Sequence, residues 1–332
     1  MLQARGSEKQ AEIWDRGIQE LANQVPATLA DKINAWRYLA MLSNPRTHIR
    51  NMLGNATMRT VMGVKNIAQT FGEALFLPQN SERTAAIRVP KEYRKFAEWD
   101  YEEHAKRMLE AGGGRYNDEI GLVSQNKKIF NNRALEAARK FNSDKLEWED
   151  MIFKKAAYVD AMSRYMYANG LSPSVLQSQA SRTGATYEQG QNFAVEQAKK
   201  ATFQEASKLA QKLSEIENMN NVSKIVMGAI VPFKKTPVNI LKRGFEYSPV
   251  GIMNGLKKAV VDIKKGDATP AEAIDTLSAG LTGTGIMMLG YFMASQGLLS
   301  GGADDDDQRK ARYDSQMGSQ NYALVLPDGS TY

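Results

Sequence analysis

A stretch of 28 residues near the C-terminus, from Thr276 to Ala303, contains no charged residue and includes seven glycines. Its length exceeds the roughly 20 apolar residues that cross a bilayer as a helix. Its glycines and hydroxyl side chains nevertheless make it a mediocre membrane span on insertion scales. Three structures therefore remain open: a buried core helix of a soluble bundle, a helix that inserts conditionally into a membrane, and an oligomer interface.

Small residues recur in this stretch at a spacing of four, which allows helix backbones to approach each other closely. The residues expected to pack against another helix or to enter lipid are Ala279, Gly283, Met288, Gly290, Phe292, Ala294 and Gly297. Burial of the large side chains Leu281, Met288 and Phe292 would indicate a core helix, whereas their exposure would indicate a lipid or protein partner.

A basic region precedes the uncharged stretch. Residues 222–266 contain nine Lys or Arg and two acidic residues, a net charge of +7, while the whole chain carries +6. Amphipathic basic helices of this kind bind anionic membranes or DNA phosphates, and the alternative is a solvated face on a packed helix. The residues expected to contact an anionic surface are Lys234, Lys235, Lys242, Arg243, Lys257, Lys258, Lys264 and Lys265.

Helix-forming residues are abundant along the whole chain and β-branched runs are rare, which predicts an all-α, multi-helix bundle with long helices. Helix starts are predicted at Asn44-Pro45, at Thr186 and at Thr269-Pro270. Two successive helices are predicted at about 132–141 and 144–168, the second capped by Ser143. A helix from Thr186 is predicted to reach Glu217.

The helix predicted from Pro45 to about Leu77 has apolar positions that step by three or four residues. These positions are Ile49, Leu53, Ala56, Thr60, Val64, Ile67, Phe71 and Leu75. Gly54, Gly63 and Gly72 also lie in this helix, each costing about 1 kcal/mol relative to alanine. Close approach of another helix, or a functional bend, would compensate for this cost. Arg46 and Arg50, on successive turns, are expected to dock the helix to a partner or an anionic surface.

The C-terminal residues 322–332 read as one strand, a Pro-Asp-Gly turn and the start of a second strand. A short β-hairpin start is therefore expected, and the natural protein is expected to continue beyond Tyr332. Four segments are predicted: N-terminal helices at 1–78, a central helical bundle at 79–218, a basic and apolar helical region at 219–303, and an acidic connector with an incomplete hairpin at 304–332.

Catalytic patterns are missing from the sequence, which has no cysteine and two histidines. The glycines at 112–114 lack the Gly-Lys-Ser/Thr of a phosphate-binding loop, and the aspartates at 304–307 lack the spacing of a calcium loop. No enzyme activity, cofactor or metal is therefore expected. Two groups of acidic residues are expected to be exposed helix charge: Glu98, Asp100, Glu102 and Glu103, and Glu147, Glu149 and Asp150.

Three stretches occur together in one order: Leu42–Asn55, then Val231–Ile240 with Glu246–Val250, then Gly283–Gly290 with Gly297 and Gly318–Val325. This order resembles the large polyvalent protein-associated helical domains (type 38) of very long phage and mobile-element proteins. The resemblance covers most of the chain from about residue 30. It implies a helical domain that accompanies or helps to deliver DNA, beside neighbouring domains that carry enzymatic activity, and it implies no catalytic residues.

The expected function is that of a non-catalytic helical module of a larger phage or mobile-element protein, mediating assembly and membrane contact during DNA delivery. The expected partners are further copies of the chain or other virion proteins, an anionic membrane and DNA, with no small-molecule substrate. The expected location is the virion interior or the bacterial cytoplasm, and the inner membrane after delivery. The alternative is a soluble nucleic-acid-associated domain whose core contains the glycine-rich helix.

Overall fold

The computed structural model describes residues 27–106, 109, 128–174, 185–205, 235–301 and 323–326. The α-helices in these ranges are α1 Leu29–Leu42, α2 Pro45–Phe76, α3 Lys91–Asp100, α4 Arg133–Asn169, α5 Tyr187–Ala201, α6 Lys235–Glu246, α7 Pro249–Lys257 and α8 Pro270–Ser295. Tyr101–Ala105 continues α3 as a π-helix, and Lys258–Asp262 continues α7 in the same way before a final turn. The predicted all-α fold is confirmed.

The predicted helix starts are confirmed by capping hydrogen bonds. The Asn44 side chain accepts from the Arg46 amide at 3.0 Å, with proline at the first helical position. Thr186 and Thr269 each open a capping box, in which the threonine side chain and the third helical residue satisfy each other's backbone amides. Local sequence therefore fixes where α2, α5 and α8 begin.

Two predicted helix boundaries are wrong. The break at Ser143 does not exist, because α4 runs through it and the neighbouring Asn142 amide donates to Ser43 Oγ at 2.8 Å. Asn142 and Ser143 are residue types that suit a helix cap, but here Asn142 hydrogen-bonds to a residue on another part of the chain. The helix from Thr186 ends at Ala201, and Phe203 follows in the left-handed region at φ 58°. The predicted continuation from residue 206 to Glu217 lies outside the described residues.

The chain forms two compact units, Met1–Gly244 and Phe245–Tyr332. The core of the first lies between α3, α4 and α5, where Tyr158, Ala161, Met162 and Tyr165 of α4 are fully buried. Close packing there requires glycine in α5, since a Cβ on Gly190 would lie 2.8 Å from the Tyr165 ring.

Helix α2 packs on the first unit through its polar side. Its buried residues are His48, Asn51, Asn55, Met58, Met62, Lys65, Gln69 and Glu73. The eight apolar-pattern positions predicted from the sequence are all exposed, and we name them the α2 stripe: Ile49, Leu53, Ala56, Thr60, Val64, Ile67, Phe71 and Leu75. This orientation is opposite to that of an ordinary amphipathic surface helix, which turns its apolar stripe to the core.

The second unit is a helical hairpin. Helix α7 and its π-helical extension end at Gly266, which adopts φ 76°, and α8 then returns alongside α7. After α8, Leu299 forms an antiparallel bridge with Leu324, and the Val325 amide donates to the Leu298 carbonyl at 2.9 Å. The partner strand predicted after Pro327 lies outside the described residues, so the terminal hairpin stays a prediction.

Candidate functional site

Glycines bring the two helices of the hairpin into backbone contact. A Cβ on Gly255 of α7 would lie 2.7 Å from the Leu277 amide nitrogen, and one on Gly280 of α8 would overlap the Ile252 backbone. A Cβ on Gly283 would overlap the Tyr247 backbone in the same way. The close approach therefore depends on glycine from both helices. The predicted pair Ala279 and Gly283 lies in this contact, and both residues are buried.

The C-terminal half of α8 has no such neighbour among the helices that the structure describes. Past Gly283 the helix extends beyond the start of α7, and we name residues 284–295 the overhang. Leu281 just before it is 51% exposed, and within it Met288 is 68% and Phe292 58% exposed. Ile286, Met287, Met288 and Leu289 are consecutive and all exposed, and four consecutive residues point to every side of an α-helix. Among the described residues, the overhang is therefore exposed on every side, with nine of its residues exposed and Thr284, Gly290 and Met293 half-buried.

The remaining predicted small residues do not pack against another described helix. A Cβ on Gly290 would meet nothing within 4 Å, and Ala294 is exposed. Gly297 lies beyond the end of α8 at φ 72°, where the Leu298 amide donates to the Met293 carbonyl at 2.9 Å. Its left-handed backbone terminates α8, and the expectation that it packs against another helix or enters lipid stays a prediction.

The length of α8 is sufficient to cross a membrane, and it is the one helix of the described residues that meets this criterion by length and composition. Only 28% of its most apolar window is buried, whereas the core helix of a soluble protein is mostly buried. The overhang of 12 residues is about 18 Å long. The hydrocarbon core of a bilayer is roughly 30 Å thick, so one leaflet contributes about 15 Å. The overhang is therefore about as long as one leaflet is thick.

The exposed lysines lie at the other end of the hairpin. Lys264 and Lys265 are exposed beside the turn at Gly266, and Lys257, 3.6 Å from Asp262, is largely exposed. Lys258 donates to Thr276 Oγ1 at 3.0 Å. Helix α8 begins at this end with Pro270. Gly283, the last glycine in the contact with α7, lies 13 residues further along, about 20 Å of helix. The predicted basic and apolar features are thus at opposite ends of α8.

Two predicted cationic contacts are already occupied within the first unit. Lys242 Nζ lies 2.6 Å from Glu205 Oε1, and buried Arg243 forms an ion pair with the other oxygen of the same carboxylate. The expectation that Arg243 contacts an anionic surface is therefore wrong, since its guanidinium is enclosed beside an acid. Lys234 and the side chain of Lys235 lie outside the described residues.

The predicted docking residues Arg46 and Arg50 are exposed in the first two turns of α2. The α2 stripe continues beyond them along the helix. The sole acidic residue of α2, Glu73, is buried on the opposite side. The exposed charges of α2 are therefore all arginine.

Several carboxylates that were expected to be exposed are buried instead. Asp150 is fully buried, and its two oxygens accept from Asn51 at 3.1 Å, Asn55 at 3.0 Å and Gln204 at 2.8 Å. Glu149 beside it is buried 2.9 Å from His48 Nδ1. The expectation of exposed charge is wrong for these two residues, because side-chain amides of Asn51, Asn55 and Gln204 donate to Asp150 and Glu149 lies beside His48.

Asp100, also expected to be exposed, is fully buried at the start of the π-helix. It accepts hydrogen bonds from the hydroxyls of Tyr158 and Tyr187 and from Gln191 Nε2 at 2.9 Å. Burial, together with the nearby Asp100 carboxylate, raises the pKa of both tyrosines. The hydroxyls therefore remain protonated donors that stabilise the buried charge, and they are not poised to act as bases.

Burial is the main cause of the raised pKa of the Glu73 carboxyl group. Hydrogen bonds from the Thr84 side chain at 2.7 Å and from the Thr84 and Ala85 amides oppose the rise in pKa. These donors join α2 to the segment that follows it. These hydrogen bonds hold that segment against α2.

The donors that face Asp100, Asp150 and Glu73 belong to the protein itself, and the described residues contain no group of three His, Cys, Asp or Glu that could hold a metal ion. The spacing of Asn51 and Asn55, four residues apart on the polar side of α2, is the sequence signal that could have located the Asp150 contact.

Comparison of the chain with known protein families, with curated proteins and with solved structures finds no match.

Proposed function

We propose that this chain is a non-catalytic helical module of a larger phage or mobile-element protein that assembles with other proteins and contacts a membrane through the overhang of α8. The observation that carries the membrane contact is the exposure of Ile286–Leu289 and Phe292 on every side of the helix. Exposed apolar surface of this extent is a mark of a lipid or protein partner. The proposed phage or mobile-element origin is supported by the resemblance of the three sequence stretches described above.

The depth of the contact follows from the hairpin. If all 20 uncharged helical residues from Thr276 spanned the bilayer, Tyr247 would enter the hydrocarbon beside Gly283 and bring the adjacent Glu246 with it. Burying a carboxylate there is costly. Insertion of the overhang alone avoids this cost, and its length matches one leaflet. We therefore propose insertion into a single leaflet, with the α7–α8 contact outside the hydrocarbon.

The competing function is a soluble nucleic-acid-associated module whose core contains α8. The buried half of α8, from Ala271 to Gly283, fits this description. The exposed half does not, because nine of the twelve overhang residues are exposed, and a soluble module gains nothing from exposed residues that are apolar or small. The membrane-contacting function accounts for both halves of the helix.

Flotation of the full chain with vesicles that contain anionic lipid tests the proposal. Met288→Glu should remove most of the bound protein, since a charged side chain in hydrocarbon costs about 3 kcal/mol, or roughly 100-fold in partitioning. The matched control is Met253→Glu on α7, where the methionine is 69% exposed and lies outside the proposed insertion. This control should float like the unmodified chain.

Two results would contradict the proposal. If the unmodified chain stays at the bottom of the gradient at every vesicle concentration, the overhang does not enter lipid. If Met253→Glu and Met288→Glu reduce flotation equally, the contact does not belong to the overhang. Circular dichroism of both variants checks that the helices are retained.

A further inference from the structure

Phe203, which follows the end of α5 at Ala201, has a backbone conformation that bulky residues rarely adopt. Its φ of 58° lies in the left-handed region, and it is the sole residue other than glycine with a positive φ in the part of the chain that the structure describes. The Gln204 amide donates to the Lys199 carbonyl at 2.9 Å, a hydrogen bond typical of helix ends where glycine is usual. Because a Cβ makes this conformation unfavourable, α5 ends at a strained residue.

The sequence around Phe203 does not itself end the helix. Residues 191–218 contain neither glycine nor proline, and most of them are good helix formers. The continuous helix predicted from Thr186 rests on these residues. A strained residue persists only where its surroundings hold it, so the contacts that hold Phe203 must come from other parts of the chain.

Helix α6 supplies several of these contacts. The fully buried side-chain amide of Asn239 donates to the carbonyls of Phe203 and Glu205, both at 2.8 Å. Lys242 Nζ lies 2.6 Å from Glu205 Oε1, and Arg243 pairs with the other oxygen of this carboxylate. In a continuous α-helix each carbonyl accepts from the amide four residues further along. The amide of Asn239 therefore binds the broken chain in place of those helical hydrogen bonds.

The break also reaches α4, because Gln204 Nε2 donates to Asp150 Oδ2 at 2.8 Å. Asp150 in turn holds α2 through Asn51 and Asn55. The docking of α6 is not fully satisfied, since Asn239 Oδ1 is buried and accepts no hydrogen bond from the described residues. A buried acceptor without a donor is unfavourable, so the contact that holds the break carries a cost of its own.

We propose that residues 202–205 are a two-state hinge whose state is set by the docking of α6. With α6 docked, the chain breaks after α5 as described. Without it, residues 202–205 adopt the helical conformation, α5 continues through Glu205, and Gln204 leaves Asp150. The strain at Phe203 and the unsatisfied oxygen of Asn239 favour release. The hydrogen bonds and ion pairs of α6 favour the break.

The hinge gives α6 a means of acting on the first unit. Helix α6 ends at Glu246 and α7 begins at Pro249, so the hairpin is joined to α6 by two residues. Displacement of α6 would remove the Gln204 donor from Asp150. A two-state element of this kind is the physical basis for coupling between distant parts of a protein. The hinge involves no lipid, so its test is independent of the membrane contact in the proposed function.

A pair of introduced histidines measures the hinge in the full chain without vesicles. Two histidines four residues apart on a helix bind one metal ion together, and imidazole is a good ligand for Ni²⁺. Lys199→His with Phe203→His forms such a pair only when the helix is continuous. Adding Asn239→Ala should tighten Ni²⁺ binding at least about tenfold in titration calorimetry, because the apparent affinity follows the population of the competent state.

The matched control is Asn192→His with Glu196→His, two exposed positions within α5 that are helical in both states. Its Ni²⁺ affinity should not change when Asn239→Ala is added. Lys242→Glu weakens the docking of α6 from its surface, where the lysine is 42% exposed, and should also tighten binding at positions 199 and 203. Unchanged binding at these positions with both Asn239→Ala and Lys242→Glu would overturn the proposal.

Comparison of Phe203→Gly with Phe203→Ala gives a second measure, since both variants remove the same ring. With Asn239 intact, the glycine variant should unfold at the higher urea concentration, because glycine adopts the left-handed conformation without strain. With Asn239→Ala the order should reverse, because alanine is favoured in a helix. A glycine variant that is the more stable in both backgrounds would show that α5 has a fixed end and that no hinge exists.

Discussion

Asp150 shows at the scale of one residue how the first unit is held together. A fully buried carboxylate is unfavourable unless its lone pairs accept hydrogen bonds, and here amides from α2 and from Gln204 supply them. One side chain of α4 thereby fixes the position of α2. The same contacts turn the polar side of α2 inward and leave its stripe exposed.

Asp150→Asn should lower the free energy of unfolding by about 3 kcal/mol. The new amide nitrogen would face at least one of the amide donors, so one buried donor would lose its acceptor. The matched control is Asp144→Asn, an exposed aspartate of the same helix, which should change the free energy of unfolding by less than about 0.5 kcal/mol. Urea unfolding measures both variants, and equal effects would show that Asp150 does not link the helices.

The burial of Asp100, Glu149 and Asp150 could not be predicted from the sequence. A carboxylate has the same local pattern whether water or a distant side chain satisfies it. Asp150 and Asn55 are 95 residues apart in the chain, so no local rule relates them. Residue composition indicates which groups need partners, and only the fold decides which groups become partners.

At the scale of the element, the sequence predicts helix starts well and helix orientation poorly. The caps at Asn44, Thr186 and Thr269 depend on residues within one turn, and the structure confirms them. The stripe of α2 was also predicted as a periodic pattern. Periodicity shows which residues share a side of a helix. It does not show which side is buried, because a polar side that finds polar partners can face the core and leave the apolar side exposed.

The glycines of α8 differ in a way that a pair of variants can measure. Gly280→Ala should lower the midpoint of thermal unfolding, since its Cβ would overlap the backbone of Ile252 and overpacking costs about 1–3 kcal/mol. Gly290→Ala should raise the midpoint or leave it unchanged, because its surroundings are open and alanine favours a helix by up to about 1 kcal/mol. If both variants were equally destabilised, the hairpin contact would not depend on Gly280.

At the scale of the whole molecule, two separate apolar surfaces remain uncovered among the described residues. The α2 stripe belongs to the first unit and the overhang of α8 to the second. The sequence identified both segments as apolar, but it placed the basic region directly beside the inserting helix. The antiparallel return of α8 instead separates the exposed lysines from the overhang. Net charge along the chain could not reveal this separation, because it depends on the position of the turn at Gly266.

We expect the overhang to enter lipid while the lysine end of the hairpin stays in water. An environment-sensitive fluorophore attached at Met288→Cys, and in a second chain at Lys264→Cys, tests this in the otherwise cysteine-free protein. On addition of anionic vesicles, the emission at position 288 should shift to shorter wavelength and become brighter, while that at position 264 should change little. An unchanged signal at position 288, or an equal shift at both positions, would contradict the account.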